Sequence, residues 1–139
     1  MYKFKMSIGD WSDDGHGKHR DFLISSNASV DVVREAHYKI ETATGINIED
    51  ICSEYGEGQI DLDMAEKIKS LGFECKESDY EEDGVYISHS DMARLWVFLL
   101  ERTNPMLELQ IIDDDTPTLH FYGYDEYGRH IGHVGYGLF

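Results

Sequence analysis

The sequence predicts an α+β fold: one compact domain over residues 1–139, in which an antiparallel sheet of about five strands carries three or four helices on one face. Strand-period alternation opens the chain and returns after Pro105, helix-period apolar stripes fill the middle, and no tandem repeat or flexible linker divides the two regimes.

At residues 2–8, Tyr2, Phe4, Met6 and Ile8 alternate with Lys3, Lys5 and Ser7, the period of a half-buried strand. Phe22, Leu23 and Ile24 are apolar enough to pair with it as a hairpin. The intervening residues 9–20 crowd three glycines, carboxylates, Trp11, His16, His19, Lys18 and Arg20 into a stretch with no element-forming period. A recognition loop held by the two strands is the functional reading; a hydrated connector with turn-capping aspartates is the plain one.

Residues 26–29 offer helix caps, and Val30, Val33, Ala36, His37 and Ile40 recur at helical spacing through about Thr42, with Gly45 as the stop. His37 beside that stripe reads as a hydrogen-bonded packing residue. A short helix is expected over residues 48–55, broken by Gly56 and Gly58, and another over residues 61–70, ended by Gly72. Val85, Tyr86 and Ile87 suggest a brief strand. Residues 88–91 can then cap a central helix whose apolar face holds Met92, Leu95, Trp96, Leu99 and Leu100. Beyond Pro105, residues 106–112, 118–124 and 129–139 read as a three-stranded antiparallel meander. The expected order is β-β-α-α-α-β-α-β-β-β.

The formal net charge is −16, from 28 acidic and 12 basic residues. That charge disfavours direct binding to nucleic-acid phosphates and favours a basic protein surface, such as one that itself binds nucleic acid; solubility is the plain alternative. Residues 49–83 hold thirteen acidic side chains against Lys67, Lys69 and Lys76, a net of −10. The densest part, Glu77, Asp79, Tyr80, Glu81, Glu82 and Asp83, with Tyr86 close behind, is the candidate protein-binding site. Its carboxylates imitate a phosphate track and its tyrosines supply contact area. A solvated acidic loop is the competing reading.

The expected function is therefore an acidic intracellular interaction protein, an inhibitor that blocks a basic nucleic-acid-binding partner; a viral or mobile-element anti-defence product fits that physics. An enzyme is the less favoured class. Cys52 and Cys75 occur singly, matching neither a disulfide framework nor a paired zinc signature, and Cys52 sits in an apolar run that assigns it to packing. A reduced, cytoplasmic setting is expected, with no signal-like start and no membrane-spanning run.

Two alternatives are carried. In the first, a nucleotide-binding or sequestering module, Trp11 stacks on a base while Lys18, Arg20 and Arg129 contact phosphates, with His16 and His130 nearby. The second is a metal-dependent phosphoryl hydrolase. No cofactor is otherwise expected, but a divalent metal is admitted on Asp10, Asp13, Asp14 and His16, joined by His19, His120, His130 or His133. Neither a His-Glu-x-x-His motif nor EF-hand spacing supports it. A homodimer formed through the edge of the C-terminal strand is also admitted.

Overall fold

The computed structural model describes residues 2–9, 19–53, 59–76, 78–113 and 129–135. The alternating opening segment is strand β1 (Tyr2–Gly9), which pairs antiparallel with β2 (His19–Ser26) from Tyr2 opposite Ser26 to Gly9 opposite His19. The predicted hairpin therefore forms, while the stretch it encloses, residues 10–18, lies outside the described residues.

Five helices follow in part from the expected signals. The stripe beginning at Val30 forms α1 (Val30–Tyr38) and α2 (Ile40–Thr44), divided at Lys39 rather than continuous; Gly45 ends α2 in the left-handed region at φ 78°. Next come α3 (Ile48–Ser53) and, after a short strand β3 (Gln59–Asp61), α4 (Leu62–Leu71). Asp61 caps α4 by accepting a hydrogen bond from the Met64 amide at 2.8 Å, and Gly72 closes it at φ 109°. Strands β4 (Asp79–Glu81) and β5 (Gly84–Tyr86) precede α5 (His89–Thr103), the longest element, capped by the Ser88 hydroxyl. Strands β6 (Leu109–Asp113) and β7 (Arg129–Val134) are the last of the described elements.

The α+β class holds, but the strands divide between two sheets. The larger has the order β6-β2-β1-β7, with β7 parallel to β1, so it is mixed rather than antiparallel. Among the described residues β6 and β7 occupy opposite edges, separated by the N-terminal hairpin, so they do not pair with each other. The expected middle strand, residues 118–124, is outside the described residues. In the second sheet, β3-β5-β4, the brief strand expected at Val85 and Tyr86 forms as β5, while β3, β4 and their pairing were not anticipated, three residues being too short to establish a period.

The core lies between the larger sheet and the helices. Phe4, Met6 and Ile8 on β1, with Phe22 and Ile24 on β2, meet Met92, Leu95, Trp96, Leu99 and Leu100 of α5, all of them buried. Trp96 is core, as its spacing predicts. A register shift in the β1–β7 pairing at Lys5/Met6 breaks the strict alternation expected of β7. Ile131 and Val134 both join the core while His133 pairs with Ser7.

A hydrogen-bond chain running outward from the core ties three helices to Gly135, the residue after β7. The Trp96 indole N–H donates to His37 Nδ1 at 2.9 Å, which leaves His37 Nε2–H to donate to Glu49 Oε1 at 2.8 Å. Glu49 Oε2 in turn accepts the Gly135 amide at 2.6 Å. His37 is thus the packing histidine its position suggests, both ring nitrogens being used by core partners. Gly135 has φ 110°, and a Cβ there would lie 2.7 Å from the Cys52 carbonyl oxygen, so only glycine closes this contact without displacement.

Candidate functional site

The acidic stretch around residue 80 is not an open loop but a hairpin. β4 and β5 are joined by a two-residue turn at Glu82 and Asp83, with Glu81 opposite Gly84. β5 is the central strand: Tyr86 pairs with Gln59 on one side and Asp79 on the other, Val85 with Ile60 and Tyr80, and Gly84 with Asp61 and Glu81. Ile60 and Val85 are buried in the main core, so this sheet is anchored through one face. Period-two alternation then assigns Asp61, Glu81 and Tyr86 to the other face.

Glu81, Glu82 and Asp83 are all exposed, and Tyr86 is 39% exposed beside them. Asp79 and Tyr80 are placed on β4 by the backbone register, and Glu77 lies outside the described residues. The result is an acidic, tyrosine-bearing surface on a small but fixed support. Gly84 is the residue that permits the support: a Cβ at this position would stand 2.1 Å from the Ile60 carbonyl oxygen.

The carboxylate of Asp91, in the first turn of α5, is fully buried and organises the segment entering the hairpin. It accepts the Lys76 amide at 3.1 and 3.0 Å on its two oxygens and the Ser78 hydroxyl at 2.6 Å, and it pairs with Arg94 Nη1 at 2.6 Å. Ser78 Oγ also accepts the Ser88 amide at 3.0 Å, so both ends of the hairpin are held to one point. Such a carboxylate is stabilised by its donors rather than available as a general base.

A second polar group, which the sequence reading did not single out, lies on the larger sheet. Lys5, Ser7, Asp21, Ser25 and His133 are all buried. Ser7 Oγ donates to Asp21 Oδ1 at 2.5 Å, Lys5 Nζ is 3.9 Å from Asp21 Oδ2, and β7 brings His133 beside Ser7. The Ser7–Asp21 hydrogen bond ties β1 to β2 in the interior of the fold. The available signal was the mixing of Lys and Ser into the otherwise apolar first strand.

Of the proposed nucleotide contacts, Arg20 is oriented over the Phe22 ring at 5.3 Å, with Nη1 donating to Ser90 Oγ at 3.3 Å. The register sets Arg20 opposite Ile8 and Arg129 opposite Phe4, on opposite sides of β1 and four positions apart along it; His130 pairs with Lys5. Trp11, His16 and Lys18 lie outside the described residues.

The admitted divalent metal is corrected. Among the described residues, no group of three or more His, Cys, Asp or Glu side chains is placed to hold a metal ion. Asp21 and Asp91 are engaged by serine, lysine, arginine and amide donors instead of converging on a common point. Of the residues named for that metal, Asp10, Asp13, Asp14, His16 and His120 lie outside the described residues, while His19 on β2 and His130 and His133 on β7 are set on opposite sides of β1. Cys52 is buried, and burial, followed by the nearby Glu49 charge, pushes its thiol well above the ordinary range, which suppresses the nucleophilic thiolate.

Among the described residues, no helix is long and apolar enough to cross a membrane. β7, the strand considered for self-association, is an edge of the larger sheet among those residues. No family model matches the chain, and comparison with curated proteins and with solved structures finds no match.

Proposed function

We propose that this chain is an acidic interaction protein that docks the β3-β5-β4 face on a basic, nucleic-acid-binding protein and blocks it. The observation that carries this reading is the exposure of Glu81, Glu82 and Asp83 together with Tyr86 on a hairpin whose opposite face is anchored by Ile60 and Val85. A rigid display loses less side-chain and loop entropy on association than a free acidic loop would. The carboxylates steer encounter and set the charge register, while Tyr86 adds contact that survives salt. An inhibitor of a nucleic-acid-targeting system, of viral or mobile-element type, is the biological role that suits a protein competing for a phosphate-binding groove.

The test is capture from a cell extract on immobilised wild-type chain and on the E81K/E82K double variant, at graded salt, with retained proteins identified by mass spectrometry. The proposal expects a basic nucleic-acid-binding protein retained by the wild type, lost in the variant, and released as salt rises. Equal retention by both chains would overturn the role of the hairpin.

A further inference from the structure

A cavity of about 600 Å³ runs along one face of α5, against β2, β6 and the segment after α4. Its lining from α5 includes Ser90, Arg94, Val97, Phe98 and Glu101, which recur at helical spacing and span roughly 16 Å of the helix. The cavity is therefore elongated, and its two ends differ in chemistry.

One end is cationic. Arg94 is held between the Asp91 carboxylate, 2.6 Å from Nη1, and the Phe73 ring, 5.0 Å from its guanidinium carbon. Lys76 lines the same end, its backbone fixed by the two hydrogen bonds to Asp91, and Arg20 reaches Ser90. Two cationic side chains, Lys76 and Arg94, thus line this end beside the single carboxylate of Asp91, in a chain of net charge −16. The middle is apolar and aromatic, walled by Phe22, Phe73 and Phe98. At the far end stand Glu101 and Gln110.

We propose that this cavity binds a nucleoside monophosphate. The phosphate meets Lys76, Arg94 and the Ser90 hydroxyl, groups that donate to an anion. The base lies against the partly exposed Phe98 ring and Val97, over a floor formed by the buried Phe22 and Phe73. Its edge faces Glu101 and Gln110, so bases carrying an exocyclic amine, a donor to the carboxylate, are preferred over uracil. An aliphatic anion would satisfy the cations but leave those two polar groups against hydrocarbon. The volume falls within the range of small-molecule sites. This proposal does not rest on the reading of the acidic hairpin surface and is tested separately from it.

The experiment is titration of the 15N-labelled full chain with AMP, CMP, GMP, UMP, adenosine and inorganic phosphate, followed by amide NMR. The expected result is saturable shifts at Ser90, Arg94, Val97 and Phe98 with AMP. Adenosine binds about tenfold more weakly, UMP binds most weakly of the nucleotides, and phosphate alone does not saturate. The exposed Lys76→Glu variant weakens AMP about tenfold but leaves adenosine unchanged. Val97→Trp, which fills the cavity, abolishes binding of both while its spectrum stays that of a folded chain. Absence of saturable shifts with all four nucleotides, shifts confined to other residues, or equal affinity for phosphate and AMP would each overturn the proposal.

Discussion

Replacing Gly84 with alanine tests the physical basis of the acidic surface without altering a charge. The added Cβ would lie 2.1 Å from the Ile60 carbonyl oxygen, 3.1 Å from its carbon and 3.3 Å from the Asp61 Cα, all backbone atoms. No side-chain rotation relieves this, so β3 and β5 must part by about 1 Å, which takes ladder hydrogen bonds beyond useful length. Losing about two such bonds costs roughly 2 kcal/mol. Partial exposure of Ile60 and Val85 adds about 1–2 kcal/mol. Because β3 is an edge strand and can yield, the expected destabilisation is about 2–4 kcal/mol, within the range of overpacked sites. For a chain of this length that lowers the melting temperature by about 10 °C. Urea denaturation measures the total, and amide exchange at Val85 and Tyr86 locates it. A loss below about 0.5 kcal/mol with unchanged protection at those amides would refute the reasoning.

Other expectations follow from the buried polar groups. Asp91→Ala removes the acceptor for Lys76, Ser78 and Arg94, and should cost about 3–5 kcal/mol in urea denaturation. Trp96→Phe leaves His37 Nδ1 without its donor, and should cost about 1–3 kcal/mol beyond the volume change; a double-mutant cycle with His37→Ala should reveal the coupling. In the native chain a thiol reagent should modify half-buried Cys75 far faster than Cys52, which should react only on unfolding; comparable rates would contradict the packing assigned to Cys52. The raised Cys52 thiol also fixes a sign. Its stabilising contribution is complete below the unfolded thiol's ordinary pKa and falls as pH climbs above it, because the unfolded state releases the proton first. Cys52→Ala should flatten that alkaline slope in pH-dependent denaturation.

The elements most legible in the sequence are those with a long period and a clear stop. Seven alternating residues define β1, and α5 was placed by Met92, Leu95, Trp96, Leu99 and Leu100 with Ser88 ahead of them. The α4 boundaries followed from Asp61 and Gly72. Sheet order was not legible, because alternation identifies a strand but not its neighbour. The parallel β1–β7 pairing and its register shift depend on contacts far apart in sequence. The three-residue strands β3 and β4 leave no period to detect, although Val85 and Tyr86 marked β5. At the candidate sites, Glu81, Glu82, Asp83 and Tyr86 were visible as composition. The Phe22–Phe73–Phe98 cavity was not, since its walls come from three separate regions of the chain.

The most direct test of the proposed blocking role is competition. A partner captured on the wild-type chain is challenged with increasing double-stranded DNA at constant ionic strength, and the fraction released is measured. If the acidic face occupies the partner's phosphate-binding groove, DNA releases the partner completely, at a concentration set by the partner's own DNA affinity. Retention of the partner under saturating DNA, with both bound at once, would contradict the account.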